Sequence, residues 1–461
     1  MRFDPELADI RFGCGLSAHI PSPDGVNQML ATLEQPDAIA ARFGIESFET
    51  FQKRITHFQA LRKLQRKNRG TPEETAAKKA GRALNKQARE AQAVWLGQHL
   101  NRWIWTDAPL RERLTAFWAD HFTATGKAGL LRRIASPYVE DAIRPRIAGR
   151  FEDMLIHAVL HPVMIHYLDQ HRSVGPNSLR ASNGGALSGL NENLAREVLE
   201  LHTLGVGGPY TQNDVRELAE LLTGVTIAAP LRLRYRKDSA EPGAETVLGQ
   251  TYGGDTPRLR DVKDVLRDLA RHPATARHLA SKLAVHFVSD RPDPALVDAL
   301  AQRYLDTQGD LGEVTAALLH HPAAWMPARR NVKPAFQFIG SALRALAIPP
   351  DVLPELSERL VRRLLIVPLR QMGHPWENPQ GPDGLPEEDT AWIDPQGLAV
   401  RLQWVMAAPQ RLLDAPPDPR VFVRIALGST APEAVTFAAN AAESRWDGIG
   451  LVLASPAFQR S

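Results

Sequence analysis

The sequence predicts a mainly α protein, a multi-helix, bundle-like architecture interrupted by one small β-hairpin insertion. Three observations carry this. Ala, Leu, Arg and Glu recur at spacings of three and four through most of the 461 residues, the period of a helix with one buried face. The prolines fall between the periodic stretches rather than within them. Convincing alternation, the mark of a half-buried strand, occurs only around LRLRYR at 231 to 236.

Taken in order, residues 1 to 110 read as an N-terminal helical region. Two long helices, 50 to 68 and 73 to 105, are separated by Asn68, Gly70, Thr71 and Pro72. Thr71 is placed to cap the second, with Glu74 three residues later. Between Lys53 and Arg89 basic residues far outnumber acidic ones, so the pair is expected to be a basic helical hairpin. A central helical core follows over 111 to 345. Pro109 opens PLRERLTAFWADHF, whose Leu110, Leu114, Phe117, Trp118 and His121 share one face. A helix pair at 145 to 171 breaks near Pro162, and the Ser, Gly and Asn-rich stretch 172 to 190 is a loop. The β-hairpin is expected near 229 to 253, with LRLRYR pairing to ETVLGQTY at 245 to 252. Helices resume from 257, and most charges of the segment holding Arg277, Lys282, His286 and Asp290 are expected to be solvated. Residues 346 to 461 form a C-terminal helical region. Its MGHPWENPQGPDGLPEEDTAW stretch at 372 to 392 is long for a passive connection. It reads either as a lid or binding loop or as a packed loop pinned by Trp376 and Trp392.

The composition is that of an ordinary globular chain, 44% apolar with a formal charge of +3. This balance gives no general argument for nucleic acid, although the basic hairpin is one candidate surface for an anionic polymer or a membrane. The single cysteine, Cys14, excludes an intramolecular disulfide. MRFDPELADIRFGCGLS lacks the apolar core of a signal peptide, and no apolar run approaches the ~18 residues of a membrane span. The expectation is therefore a cytoplasmic protein, or a periplasmic one if a leader is missing. No phosphate-binding loop, nucleophile elbow or dinucleotide fingerprint occurs.

The densest functional signal is NENLAREVLELHTLG at 191 to 205. On a helical wheel Glu192, Asn193, Arg196, Glu197, Glu200 and Thr203 share a polar arc, opposite Leu194, Ala195, Val198, Leu199 and Leu201. Arg196 can bridge Glu192 and Glu200, each four residues away. Asn and Thr within the arc favour a packed polar network over a solvated face. Glu197 and Glu200 are the acid/base candidates, Arg196 an anion anchor and His121 a proton shuttle. Candidate ligand-binding residues are Glu192, Asn193, Asp120, Tyr167, Asp169 and Trp376; Tyr167 and Asp169 either form a polar cluster facing Arg196 or Asp169 caps a helix end. No metal site is assigned: Glu200 and His202 lack ligand spacing, and His157 with His161 has no third partner. No cofactor is identified.

FWADHFT at 117 to 123, HPVMIHYLDQ at 161 to 170, NENLAREVLELHTLGVGGPYTQNDVRELAELLTG at 191 to 224, HPATARHLASKLAVHFVSDRPDPALVDAL at 272 to 300, MGHPWENPQGPDGLP and the closing LVLASPAFQR together resemble the bacterial domain of unknown function 1800 family. The resemblance implies no established activity. It implies export, and a partner of the domain of unknown function 1501 family, which is similar to the alkaline phosphatase and sulfatase fold. Family members often carry histidine where this chain has Ala119 and Ala240. The functional expectation is an accessory or binding protein acting with a partner; the alternative is a hydrolase or transferase built on the Glu, His and Arg cluster.

Overall fold

In a computed structural model, described over residues 3–184 and 189–461, helices dominate and two two-stranded antiparallel sheets are inserted among them. Part of the 172 to 190 loop lies outside the described residues. The two long helices span Phe48–Lys67 and Pro72–Trp105. Ser47 caps the first through the Thr50 N–H, and Thr71 caps the second through the Glu74 N–H. Glu74 in turn accepts from the Gly70 N–H at 2.7 Å and pairs with Lys78.

The longer helix organises the molecule because successive stretches of it serve different cores. Leu84 joins Leu61 and Ala77 in a small cluster within the hairpin. Ala88 and Trp95 belong to a large core built from the N-terminal segment and residues up to Trp325. Ala93, Leu96, Leu100 and Ile104 belong to a second core with Ala335–Ala345 and the C-terminal helices. Gly97 and Gly340 permit the tightest approaches: a Cβ at Gly97 would meet the Leu353 backbone at 3.2 Å, and one at Gly340 the Trp103 ring at 2.9 Å.

Buried arginines fasten loose backbone. Fully buried Arg344 donates to the carbonyls of Trp103, Ile104, Thr106 and Gly15 at 2.8–3.1 Å, satisfying the open end of the long helix. Arg111 does the same for Thr32, Leu33 and Gln35. Arg144 bridges Asp37 and buried Glu112.

The expected pairing of LRLRYR with ETVLGQTY is not the one formed. Val225–Ala228 pairs with Arg232–Tyr235, and Gly243–Val247 pairs with Gln250–Gly254. Each strand takes its nearest neighbour, because closing a two- or three-residue loop costs less chain entropy than closing a longer one. The second turn is Leu248–Gly249, with φ of 51° and 77°, the left-handed pair of a tight hairpin turn.

Candidate functional site

A cleft of about 710 Å³ opens between one face of the Pro109–His121 helix, the C-terminal end of the long helix, the Ala135–Tyr138 helix and the 372–392 loop. Trp103, Tyr138, Phe336 and Trp376 give it aromatic walls. Carboxylates outnumber cations along it: Glu112, Asp120, Glu377, Asp383, Glu387 and Glu388 face Arg144 and Lys282. One of those cations, Arg144, is already committed to Glu112 and Asp37.

The loop is held by both of its indoles and by Asp120. Trp392 is 2% exposed and donates to the Pro386 carbonyl at 3.1 Å. The two Asp120 oxygens accept from the Leu385 N–H at 3.0 and 3.1 Å. Gly384, at φ +79°, lets the chain come so close that a Cβ there would sit 2.6 Å from Asp120 Oδ2. Burial, then the nearby Glu387, pushes the Asp120 carboxyl up to about 7. Glu387 accepts from or pairs with His286 Nδ1 at 3.0 Å. Burial raises the Glu387 pKa, but His286, Lys282 and Arg113 outweigh it and the net shift is downward.

At the other end of the cleft, three residues from distant segments meet. His99 Nε2 lies 3.0 Å from Ser136 Oγ, which also makes a short hydrogen bond to Glu377. Glu377 further accepts from the Ser136 N–H at 2.8 Å and from Gln92 Nε2 at 2.6 Å. Its backbone sits at φ 52°, a left-handed conformation rare outside glycine and asparagine and worth noticing at a site. Burial raises the Glu377 carboxyl, and burial with the Arg102 and Arg144 charges holds His99 well below the usual histidine range, as a neutral ring.

The residues singled out from the sequence divide into three groups. Asp120 and Trp376 line the cleft. Tyr167 and Glu197 lie at its edge, close enough for Asp383 to raise both of them after burial, with Glu200 the larger charge acting on Glu197. The remaining members of the polar arc are elsewhere. Arg196 does bridge Glu192 at 3.3 Å and Glu200 at 3.2 Å, and it adds Gln212 at 2.9 Å. The arc is half-exposed, however, and Asn193 is exposed, so the expected packed network is a surface clasp onto the Gln212–Leu221 helix. The stretch is also not one regular helix: it is α-helical over Asn193–Glu197 and widens to i→i+5 turns over Val198–Thr203, which alters the assumed wheel. Asp169 pairs with Lys127 rather than facing Arg196.

His121 is separated from Glu197 and Glu200 by burial. It is 3% exposed, with Nε2 3.2 Å from the His202 carbonyl oxygen and Nδ1 without a partner among the described residues. His202 is fully buried, with neither ring nitrogen bonded among the described residues, and the ring centres of His202 and His278 lie 6.0 and 6.3 Å from that of His121. Burial and Lys282 hold His121 far down and His202 near 3, so both rings are neutral at physiological pH. Of the charges expected to be solvated in the Pro273–Phe287 helix and just after it, Arg277 and Asp290 are exposed, whereas Lys282 lines the cleft and His286 binds Glu387. The basic hairpin keeps Arg62, Lys63, Arg66 and Lys67 exposed.

These features define a class: a double-cored helical protein with an acidic, aromatic-walled cleft beneath a tryptophan-anchored loop. The chain matches the model of DUF1800, described as a protein of unknown function, over residues 13–460, and it belongs to that family. No curated protein and no solved structure matches it. Among the described residues, no helix is long and apolar enough to cross a membrane.

Proposed function

We propose that this chain is a binding protein whose working site is the cleft under the 372–392 loop, and that its ligand is a small polar molecule bearing hydroxyl or ammonium groups. The carrying observation is the lining itself: an excess of carboxylates between aromatic walls, in about 710 Å³, the size and makeup of a small-molecule site. Glu377 and Asp120, both held toward neutrality by burial, exchange hydrogen bonds with hydroxyls, while Trp376 offers a flat apolar face. The test is a thermal-shift and calorimetry screen with amino sugars, polyols and polyamines on the full chain. A hit from one of these classes that is lost in Trp376→Ala and weakened at least about tenfold in Glu377→Gln supports the cleft; binding indifferent to both substitutions places the site elsewhere.

The His99–Ser136 contact favours a second reading, acyl transfer with Ser136 as nucleophile and His99 as base. It ranks lower because Ser136 is 3% exposed and its own N–H, a natural oxyanion donor, is taken by Glu377. A fluorophosphonate probe is expected to leave Ser136 unlabelled. Labelling of Ser136 that disappears in His99→Ala would promote the hydrolase.

A further inference from the structure

At the end of the long helix away from the cleft, the helical hairpin projects from the body. Leu61, Ala77 and Leu84, with Phe58 and Ala80 against them, make a small core between its two helices. From Thr56 to Ala88 the polar contacts stay within these helices and their turn: Thr71 with Asn68, Glu74 with Gly70 and Lys78, Asn85 with Gly81, and Lys86 with Glu90. We propose that the tip of this hairpin docks the protein peripherally on a membrane rich in anionic lipid, with Leu64 entering the headgroup layer.

The charge of the chain is segregated along this axis. From Thr56 to Ala88 nine basic residues stand against two acidic ones, a net +7 in a chain whose formal total is +3, so the rest of the molecule carries −4. Arg62, Lys63, Arg66 and Lys67 on the first helix, with Lys79 and Arg82 on the second, are exposed. The ion pairs that this stretch does form use Lys78 and Lys86 instead. At 1.5 Å per residue the turn lies about 30–40 Å from Gln92 and His99, several times the Debye length of about 8 Å at physiological ionic strength. The acidic cleft therefore adds little repulsion where the tip meets an anionic surface, and the separation of charge orients the molecule tip first.

Leu64 selects a lipid surface over other polyanions. It is 47% exposed, in the midst of the four cations of its helix. A nucleic-acid backbone offers such a side chain no apolar partner, whereas a bilayer accepts it below the headgroups and lets the lysine and arginine stems follow. The shape agrees, since the cations surround the outer end of a projecting helix pair, which suits a flat surface. Single-stranded nucleic acid is held by aromatic faces set between cations. From Thr56 to Ala88 the one aromatic side chain besides His57 is Phe58, and it packs into the hairpin core with the Arg62 guanidinium 5.4 Å above its ring. Each cation close to an anionic leaflet strengthens binding roughly fivefold, so six of them hold a protein at the surface without a spanning helix, of which the described residues contain none.

The experiment is co-sedimentation of the full chain with vesicles of phosphatidylcholine alone and of phosphatidylcholine with about one third phosphatidylglycerol, at about 0.05 M and about 0.5 M salt, with a DNA duplex titrated in parallel. The expected result is binding to the anionic vesicles alone, lost at the higher salt. Arg62→Glu, Lys63→Glu, Arg66→Glu and Lys67→Glu combined should weaken it at least about a hundredfold, and Lys79→Glu with Arg82→Glu at least about tenfold. The second pair lies on the other helix, so it decides the matter if the fourfold variant does not fold. Leu64→Ala, which changes no charge, should weaken vesicle binding several-fold and leave its salt dependence in place. No binding to anionic vesicles at low salt, equal binding to neutral ones, or binding unchanged in both charge-reversed variants overturns the proposal. So does a Leu64→Ala variant that binds vesicles as the parent does, or tighter binding per phosphate to the DNA, which makes nucleic acid the partner.

Discussion

Asp120 shows how one side chain ties the cleft to pH. Burial pushes its carboxyl up to about 7, above the ordinary aspartate value of 3.8. The folded chain therefore binds more protons than the unfolded chain between these values, and stability falls as pH rises through that window. Asp120→Asn keeps an oxygen for the Leu385 N–H and removes the charge. The variant should melt higher than the parent at pH 8 (an alkaline arm just above the window), by about 1–3 kcal/mol, with the difference shrinking towards pH 5 (an arm inside it). Unfolding midpoints at the two pH values check this; an equal shift at both would detach Asp120 from the effect. Asp120 was visible in the sequence as part of FWADHFT. His99, Ser136 and Glu377 were not, since they lie 37 and 241 positions apart pairwise and none sits in a short motif. The left-handed backbone at Glu377 was the local oddity that a sequence cannot display.

Among the elements, the 372–392 loop is a packed loop, and it also forms one wall of the cleft. Trp392 pins one end into the second core, while Trp376 lines the cleft. Its approach to Asp120 rests on Gly384. Gly384→Ala adds strain at a positive φ and a clash with Asp120, so it should cost about 1–3 kcal/mol and loosen ligand binding. Limited proteolysis within the loop, faster than in the parent, is the expected readout; an unchanged pattern would show the latch to be unimportant. The long helices and their caps were legible because capping residues and periodicity are local. The strand pairing was not, because alternation marks a strand without naming its partner. In NENLAREVLELHTLG, the Arg196 bridge followed from spacing. The exposure of the arc did not, since it depends on how few elements pack outside it.

For the whole molecule, composition and periodicity carried the class of fold but not its division into two cores. That division depends on which faces of one helix meet which neighbours. The 34 residues of Pro72–Trp105 make a rod about 50 Å long at 1.5 Å per residue. It begins in the basic hairpin, bonds Glu377 through Gln92, supplies His99 to the cleft, and ends under the Arg344 carbonyl clasp. Hinge motion between the cores would have to bend this beam where it is buttressed on two sides. The same rod joins the hairpin tip to Gln92, which bonds Glu377, and to His99, which meets Ser136, so a rigid-body shift of the hairpin could not occur without displacing these contacts.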